Sequence, residues 1–201
     1  MPSAASVVLM TALVLATASA SAVGDARLSH ARLRDVPTVP SLNVTQYLGL
    51  WYQVYTDSFN AIFEPTPYCA TAKYGLYPNG SVSVRNIDRQ GAYNGTRREV
   101  EGFAYQTDAA EYPGRLAVVF PFNPIPGPYW IVKLGPVIGD EYQYAVVTDM
   151  YKVTLFVLTR DPATFKGLYG AEVSAFLTAF GFTNALDDPK AIPQGPLCNY
   201  S

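Results

Sequence analysis

The residue types that perform nucleophilic catalysis are scarce in this chain. Among its 201 residues are one histidine, His30, and two cysteines, Cys69 and Cys198. His30 lies in the arginine-rich stretch RLSHARLRD, which predicts a solvated position. We therefore expect neither a Ser-His nor a Cys-His pair. One histidine with two cysteines also does not make up the usual tetrahedral zinc site.

The acidic residues give no better support for an enzyme. Glu99, Glu101, Asp187 and Asp188 have polar neighbours in the sequence, which is typical of solvated side chains. No glycine-rich phosphate loop follows a predicted strand. The formal net charge of -2 gives no reason to expect nucleic acid or an anionic membrane as a partner. We predict no cofactor and no metal site.

The N-terminal residues 1–22 have the pattern of a secretory signal peptide. An apolar run from Val7 to Leu15 is followed by small residues that twice fit an A-x-A cleavage site. The alternative is a membrane anchor, but the run is well short of the ~20 residues that a span needs. Residues 23–41 are a polar lead-in, and residues 42–201 are predicted to form one domain.

Export has two consequences for the rest of the chain. A well-separated pair of cysteines in a secreted protein predicts one disulfide, between Cys69 and Cys198. Glycosylation sequons at Asn43, Asn79 and Asn94 become candidate sites for glycans. A fourth, at Asn199, lies too close to the end of the chain to be favoured.

Short runs rich in aromatic and β-branched residues recur about every ten residues and predict eight strands. The runs are LWYQVYT, YCATAKYGLY, SVSVRNI, TRREVEGFAYQ, RLAVVF, YWIVKL, YQYAVVT and KVTLFVLT. The pairs Asn79-Gly80 and Asn94-Gly95 are typical of hairpin turns. Because no long helix separates the runs, the strands should be antiparallel. Closing them into an up-and-down barrel removes the exposed edges, and a two-sheet sandwich is the alternative.

One helix is predicted after the last strand, over about residues 162–180. Asp161 can cap its first turn and Gly181 can end it, while Gly167 and Gly170 weaken it. The proline-containing tail is predicted to be an ordered strap held by Cys198.

The stretch YLGLWYQVY resembles the start of the lipocalins, and more closely the apolipoprotein D and bacterial lipocalin branch. The family motif G-x-W corresponds to Gly49-Leu50-Trp51, and the family arginine that precedes the helix corresponds to Arg160 in LFVLTRDP. The resemblance implies an all-β, eight-stranded barrel with one helix outside. It also implies that Arg160 lies across Trp51 at the closed end as a cation–π pair.

The family's remaining motif, T-D-Y, is degraded in this chain. VTDMY contains a similar sequence, but the strand count places Asp149 between the seventh and eighth strands, at the mouth. The family motif falls between the sixth and seventh strands, where GDEYQYAVV offers Asp140 instead. The segment LGPVI before it resembles an insertion.

Alternation along the strands, with charged residues as outward markers, predicts the inner wall. If Lys133 faces outward, Trp130 and Val132 face inward. In the same way, outward positions of Lys73 and Glu99 place Tyr74 and Val100 on the inner wall. Phe103 and Tyr105 should face outward. The predicted ligand-binding set is Tyr55, Tyr74, Val100, Val118, Phe120, Trp130, Val132 and Tyr144. These side chains either fill the barrel or surround one small ligand.

The function predicted from the sequence is a secreted, extracellular carrier of a small hydrophobic ligand. The resemblance implies a fatty acid, lysophospholipid, sterol or pigment. Two alternatives stay open: a lipid- or isoprenoid-modifying enzyme that uses a free thiol or an acid in the cavity, and an interaction protein with a filled barrel. Apolar residues in the mouth loops, including Phe59, Ile62, Phe63, Phe122 and Ile125, would suit contact with a lipid or lipoprotein surface.

Overall fold

A computed structural model describes residues 36–58, 67–184 and 188–200 of the chain. The predicted signal peptide, most of the lead-in, and Phe59, Ile62, Phe63 and Asp187 lie outside the described residues.

Eight antiparallel strands form the predicted barrel. The barrel strands are β1 Gly49–Thr56, β2 Pro67–Leu76, β3 Val82–Gln90, β4 Arg97–Gln106, β5 Arg115–Phe120, β6 Asn123–Leu134, β9 Tyr144–Thr148 and β10 Leu155–Thr159. The sheet runs in the order β10-β9-β6-β5-β4-β3-β2-β1, and pairing of β10 with β1 closes it. Because every strand pairs on both sides, the closed barrel removes the unpaired edges that a sandwich would keep.

A small hairpin lies between the sixth and seventh barrel strands, where the sequence suggested an insertion. It pairs β7 Val137–Ile138 with β8 Glu141–Tyr142. Gly139 and Asp140 form its turn, with φ of 60° and 62°. Both residues of a two-residue turn of this hand need positive φ, which glycine and aspartate tolerate. Asp140 is exposed and serves this turn.

The closed end is built around Trp51 and Arg160, as the resemblance implies. Trp51 is completely buried, and the guanidinium carbon of Arg160 lies 3.7 Å from the centroid of its ring. The same guanidinium donates hydrogen bonds of 2.7–3.1 Å to four backbone carbonyls, those of Gln46, Leu48, Leu50 and Tyr142. The arginine therefore ties β1 and the segment before it to β8 across the base of the barrel.

Two features of the chain before and within β1 allow this closure. A short helix, α1 (Val44–Tyr47), crosses the base, and the Asn43 side chain caps it by accepting a bond from the Thr45 amide. Gly49 follows with φ of 95°, and a Cβ there would lie 3.2 Å from Arg160 Nη1. Glycine is required both for the left-handed backbone and for the close approach of the arginine.

The predicted C-terminal helix is divided in two. The segments are α2 (Pro162–Leu168) and α3 (Gly170–Phe180), separated at Tyr169, whose φ and ψ are -126° and -13°. Asp161 caps α2 through the amides of Ala163 and Thr164, and Gly181 ends α3 with φ of 100°, as predicted. Glycines at 167 and 170 flank the break, and each lowers helix stability. No helix within the described ranges has the length and apolar character needed to cross a membrane.

The C-terminal tail is the predicted ordered strap. Cys69 and Cys198 form a disulfide across 129 positions of sequence. The two-residue strand β11 (Lys190–Ala191) pairs with the mouth end of β1. Gln194 Nε2 donates to the carbonyls of Gln53 and Ala70 at 2.8 and 2.9 Å. The strap therefore fastens β1 to β2 where their own pairing stops.

We predict that Arg160→Met lowers the free energy of unfolding by about 2–4 kcal/mol, because backbone carbonyls at the base lose their donors. Methionine keeps an unbranched chain against Trp51, so the loss reports the hydrogen bonds and the cation–π contact. Urea unfolding provides the measurement. The matched control is Arg97→Met on the outer wall, where the pair with Glu99 is partly exposed and the expected change is about 0–1 kcal/mol. Equal losses in the two variants would contradict the role given to Arg160.

Candidate ligand-binding cavity

The barrel encloses a cavity of about 470 Å³. Its wall is mainly apolar and comes from the inward residues of β2 to β6 and β10. Those wall residues include Ala72, Val82, Val84, Ala104, Leu116 and Leu158, with Leu42, Val44 and Leu48 from the segment that crosses the base. A volume of this order suits one small molecule.

Four of the eight predicted ligand-binding residues line this cavity: Tyr74, Val100, Val118 and Phe120. Alternation from Lys73 and Glu99 therefore correctly predicted which residues of β2 and β4 face the cavity. The ring of Phe120 lies over Gly102, where a Cβ would come within 2.6 Å of it, so glycine makes room for the ring. Phe103 and Tyr105 are exposed on the outer wall, as predicted. Contact of the four lining residues with a ligand stays a prediction.

Trp130 and Val132 do not face the cavity, which corrects the prediction. Both pack outside the barrel in the cluster formed with Phe165, Val173 and Leu177 of the helices. The reason is a β-bulge in β6. Ile131 pairs with Val147 and Lys133 with Val146, so Val132 is an extra residue without its own partner. Lys133 faces outward as assumed, but the bulge reverses the alternation between it and Trp130.

Tyr55 and Tyr144 also lie beneath the helices rather than inside the barrel. In β1, Gln53 pairs with Leu158 and Tyr55 with Val157, which leaves Val54 as an extra residue and turns Tyr55 outward. The ring of Phe165 meets both tyrosine rings edge-on, at 6.1 and 6.5 Å. The Tyr144 hydroxyl donates to Glu172 Oε1 at 2.8 Å, which fixes α3 to β9. Both tyrosines pack between the barrel wall and the helices.

Sequence reasoning missed a cluster of three tyrosine hydroxyls in the lower half of the cavity. Tyr47 Oη lies 2.7 Å from Tyr129 Oη, which in turn lies 3.1 Å from Tyr74 Oη. All three residues line the cavity, and the Tyr47 ring packs on Trp51 at 5.1 Å between centroids. Of the three, only Tyr74 was predicted. The alternation that wrongly placed Trp130 inward also turned Tyr129 outward, and nothing in the sequence marks Tyr47 as an inward residue.

Burial decides the protonation of this cluster. It raises the pKa of Tyr47 and Tyr129 well above the ordinary value and that of Tyr74 to about 12. The hydroxyls therefore keep their protons at neutral pH and act as neutral hydrogen-bonding groups.

The half of the cavity nearer the mouth carries an ion pair on its wall. Arg98 Nε and Nη2 donate to the two carboxylate oxygens of Asp88, at 2.7 and 2.8 Å. The two residues are direct partners between β3 and β4. Such a bidentate pair satisfies the guanidinium and the carboxylate together, so neither presents an uncompensated charge to a ligand.

Two aspartates organise the mouth. Asp149 is buried in the loop between β9 and β10, where it accepts bonds from the amides of Tyr151, Val153 and Thr154. Its position at the mouth agrees with the strand count. Asp57, at the end of β1, is fully buried and accepts a bond from the Leu155 amide. The first mouth loop therefore begins at a structural residue.

Apolar side chains project at the rim. Phe122 and Ile125 in the β5–β6 region and Tyr151 in the β9–β10 loop are 48%, 60% and 58% exposed. Phe122 also stacks on Phe120 at the entrance, with 5.5 Å between ring centroids. Contact of this rim with a lipid surface stays a prediction.

The candidate glycosylation sites lie on the surface at both ends of the barrel. Asn94 is exposed in the turn between β3 and β4 at the mouth, and Asn79 is exposed in the turn between β2 and β3 at the closed end. Asn43 is exposed at the N-terminal cap of α1. Their modification stays a prediction.

The chain matches the family model described as a lipocalin-like domain over residues 42–182. It is 33% identical over 153 residues to the outer membrane lipoprotein Blc of Escherichia coli (strain K12), covering 74% of this chain and 78% of that protein. It is 32% identical over 134 residues to temperature-induced lipocalin-1 of Arabidopsis thaliana, covering 63% and 67%.

Solved structures show the same barrel. Lobster apocrustacyanin A1 superimposes with a TM-score of 0.58 at 18% identity, over 79% of this chain and 83% of that one. Japanin from Rhipicephalus appendiculatus, solved bound to cholesterol, gives a TM-score of 0.52 at 15% identity, over 81% and 100%. Together, the family match, the bacterial relative and the shared barrel establish that this chain belongs to the lipocalin family.

Proposed function

We propose that this protein is a secreted carrier that binds a small hydrophobic molecule inside the barrel. The observation that carries the proposal is the cavity of about 470 Å³ with a mainly apolar wall. Transfer of apolar surface from water into such a cavity is favourable by roughly 25 cal/mol per Å². Fatty acids, lysophospholipids, sterols and pigments all have apolar bodies that such a wall would accept.

Two observations weigh against an enzyme that uses a cavity thiol and against a filled barrel. An isomerase that uses a thiol needs a free thiolate, and the disulfide uses both cysteines of the chain. A filled barrel would leave no room for a ligand, whereas an open cavity lies among Tyr74, Val100, Val118 and Phe120. The exposed pair Phe103 and Tyr105 on the outer wall, 6.4 Å apart by ring centroids, is the feature that an interaction protein would use.

Secretion is supported by features at both ends of the chain. A disulfide over 129 positions persists in oxidising compartments and is rare in the cytosol of mesophiles. The N-terminal pattern of residues 1–22 is that of an export signal. A preformed cavity in an exported chain suits carriage of a ligand outside the cell.

We predict that the purified protein binds the neutral fluorophore N-phenyl-1-naphthylamine in the micromolar range, with enhanced and blue-shifted emission. The Ala104→Trp variant should weaken binding at least tenfold, because the indole occupies the cavity. The control is Phe103→Trp, which places the same side chain on the neighbouring, outward position and should keep the affinity within about twofold. Absence of binding to the unmodified protein, or equal binding to both variants, would contradict a ligand-binding cavity.

Export through a glycosylating pathway gives a second prediction. Treatment of the secreted protein with an N-glycosidase should reduce its mass, and the Asn79→Gln and Asn94→Gln variants should each remove part of that change. Both positions are exposed turn residues, so the substitutions should leave stability within about 0.5 kcal/mol. Secreted protein with the mass of the bare polypeptide before treatment would show that these sequons are not used.

A further inference from the structure

The tyrosine cluster at the base of the cavity has one more O–H donor than it has hydrogen bonds between its hydroxyl groups. Tyr47, Tyr74 and Tyr129 carry three hydroxyl hydrogens, and the two contacts between their oxygens use two of them. A tyrosine hydroxyl has one donor and accepts as well. Whichever way the two bonds run, one O–H has no acceptor within the cluster. Because all three residues line the cavity, that donor is available to a molecule inside it.

The electrostatic surroundings favour an oxygen atom at this point. Arg160 lies beneath the cluster against Trp51. Burial raises the pKa of Tyr47 and Tyr74, and the charge of Arg160 opposes part of that rise, so its positive potential reaches both hydroxyls. A positive potential stabilises the negative end of a carbonyl or hydroxyl dipole.

A carboxylate at the cluster would find no cationic side chain with free N–H groups to pair with it. The guanidinium of Arg160 is committed to four backbone carbonyls at the base. Among the described residues that line the cavity, Arg98 is the one basic side chain, and Asp88 holds it in a bidentate pair. A buried anion without a partner is costly, so an ionised headgroup is disfavoured at the base. Near the mouth, the headgroup would find no unpaired cation among the described lining residues, because Asp88 already pairs with Arg98.

We propose that the cavity selects an amphiphile with an uncharged oxygen acceptor, a ketone or hydroxyl oxygen, which enters first and binds the hydroxyl cluster of Tyr47, Tyr74 and Tyr129. This inference rests on the proposed function, because it names the class of ligand for the same cavity. The apolar body of the ligand then lies along Val84, Ala104 and Val118 towards the mouth.

The first experiment compares ligands of one chain length on the unmodified protein. Dodecan-2-one, dodecan-1-ol and dodecanoic acid compete with N-phenyl-1-naphthylamine at about pH 7.5, where the acid is ionised. We expect the ketone and the alcohol to bind at least tenfold more tightly than the carboxylate, because only the carboxylate must bury a charge. A carboxylate that binds as tightly as the ketone overturns the inference.

The second experiment removes the donors. The triple variant Tyr47→Phe, Tyr74→Phe, Tyr129→Phe should lose about fivefold to tenfold in affinity for dodecan-2-one, the equivalent of one hydrogen bond. Its affinity for the fluorophore should stay within about twofold of the original, since the apolar wall is retained. The triple change is needed because any single change leaves at least one surplus donor. The control variant Tyr77→Phe, Tyr105→Phe alters two exposed tyrosines and should change neither affinity.

The outcomes separate this inference from the proposed function. Failure of the unmodified protein to bind the fluorophore and all three competitors contradicts both. Binding of the fluorophore with no preference for the ketone over the carboxylate, or with ketone affinity retained in the triple variant, contradicts the inference alone. Because the comparison of competitors needs no substitution, it decides the question even where the triple variant folds poorly.

Discussion

The stacking of Arg160 on Trp51 is the contact on which the rest of the structure depends. A barrel of eight strands has two open ends, and a cavity that holds an apolar molecule needs one of them closed. Here the guanidinium covers the indole at 3.7 Å and donates to backbone carbonyls from two separate parts of the chain. Those carbonyls belong to α1, the residue that follows it, β1 and β8, so one side chain links four points of the base while it covers Trp51.

The closed base places a group of hydroxyls at the floor of the cavity, and the helices cover part of the outer wall. The rings of Tyr47 and Trp51 are in contact, which brings a hydroxyl cluster to the cavity floor without exposing it to bulk water. On the outside, Phe165 and Val173 cover the wall formed by β6, β9 and β10. The cavity is therefore apolar along its length, with neutral polar groups at the floor and a self-compensated ion pair nearer the mouth.

Much of this architecture follows from the sequence alone. Strand alternation, the Asn-Gly turns, the separated cysteines and the motif around Trp51 predict the barrel, its closure and the disulfide, all of which the structure contains. Three of the four errors lie in β1 and β6, where the extra residues Val54 and Val132 reverse the alternation, and the fourth is Tyr144 in β9. A bulge changes the pairing between strands rather than the local composition, so no run of letters reveals it. The floor of the cavity depends on the same bulge, because Tyr129 faces inward only through it.

The division of the helix is also only partly predictable: Gly167 and Gly170 indicate weakness, but the sequence does not show that the break falls at Tyr169, whose ring packs on Tyr144. A crystal structure of the protein grown with dodecan-2-one would show directly where the ligand oxygen binds. We expect the dodecanone chain inside the barrel, with its oxygen about 2.7–3.0 Å from a hydroxyl of Tyr47, Tyr74 or Tyr129. A ligand with its oxygen at the mouth, or bound outside the barrel with the cavity empty, would contradict this expectation.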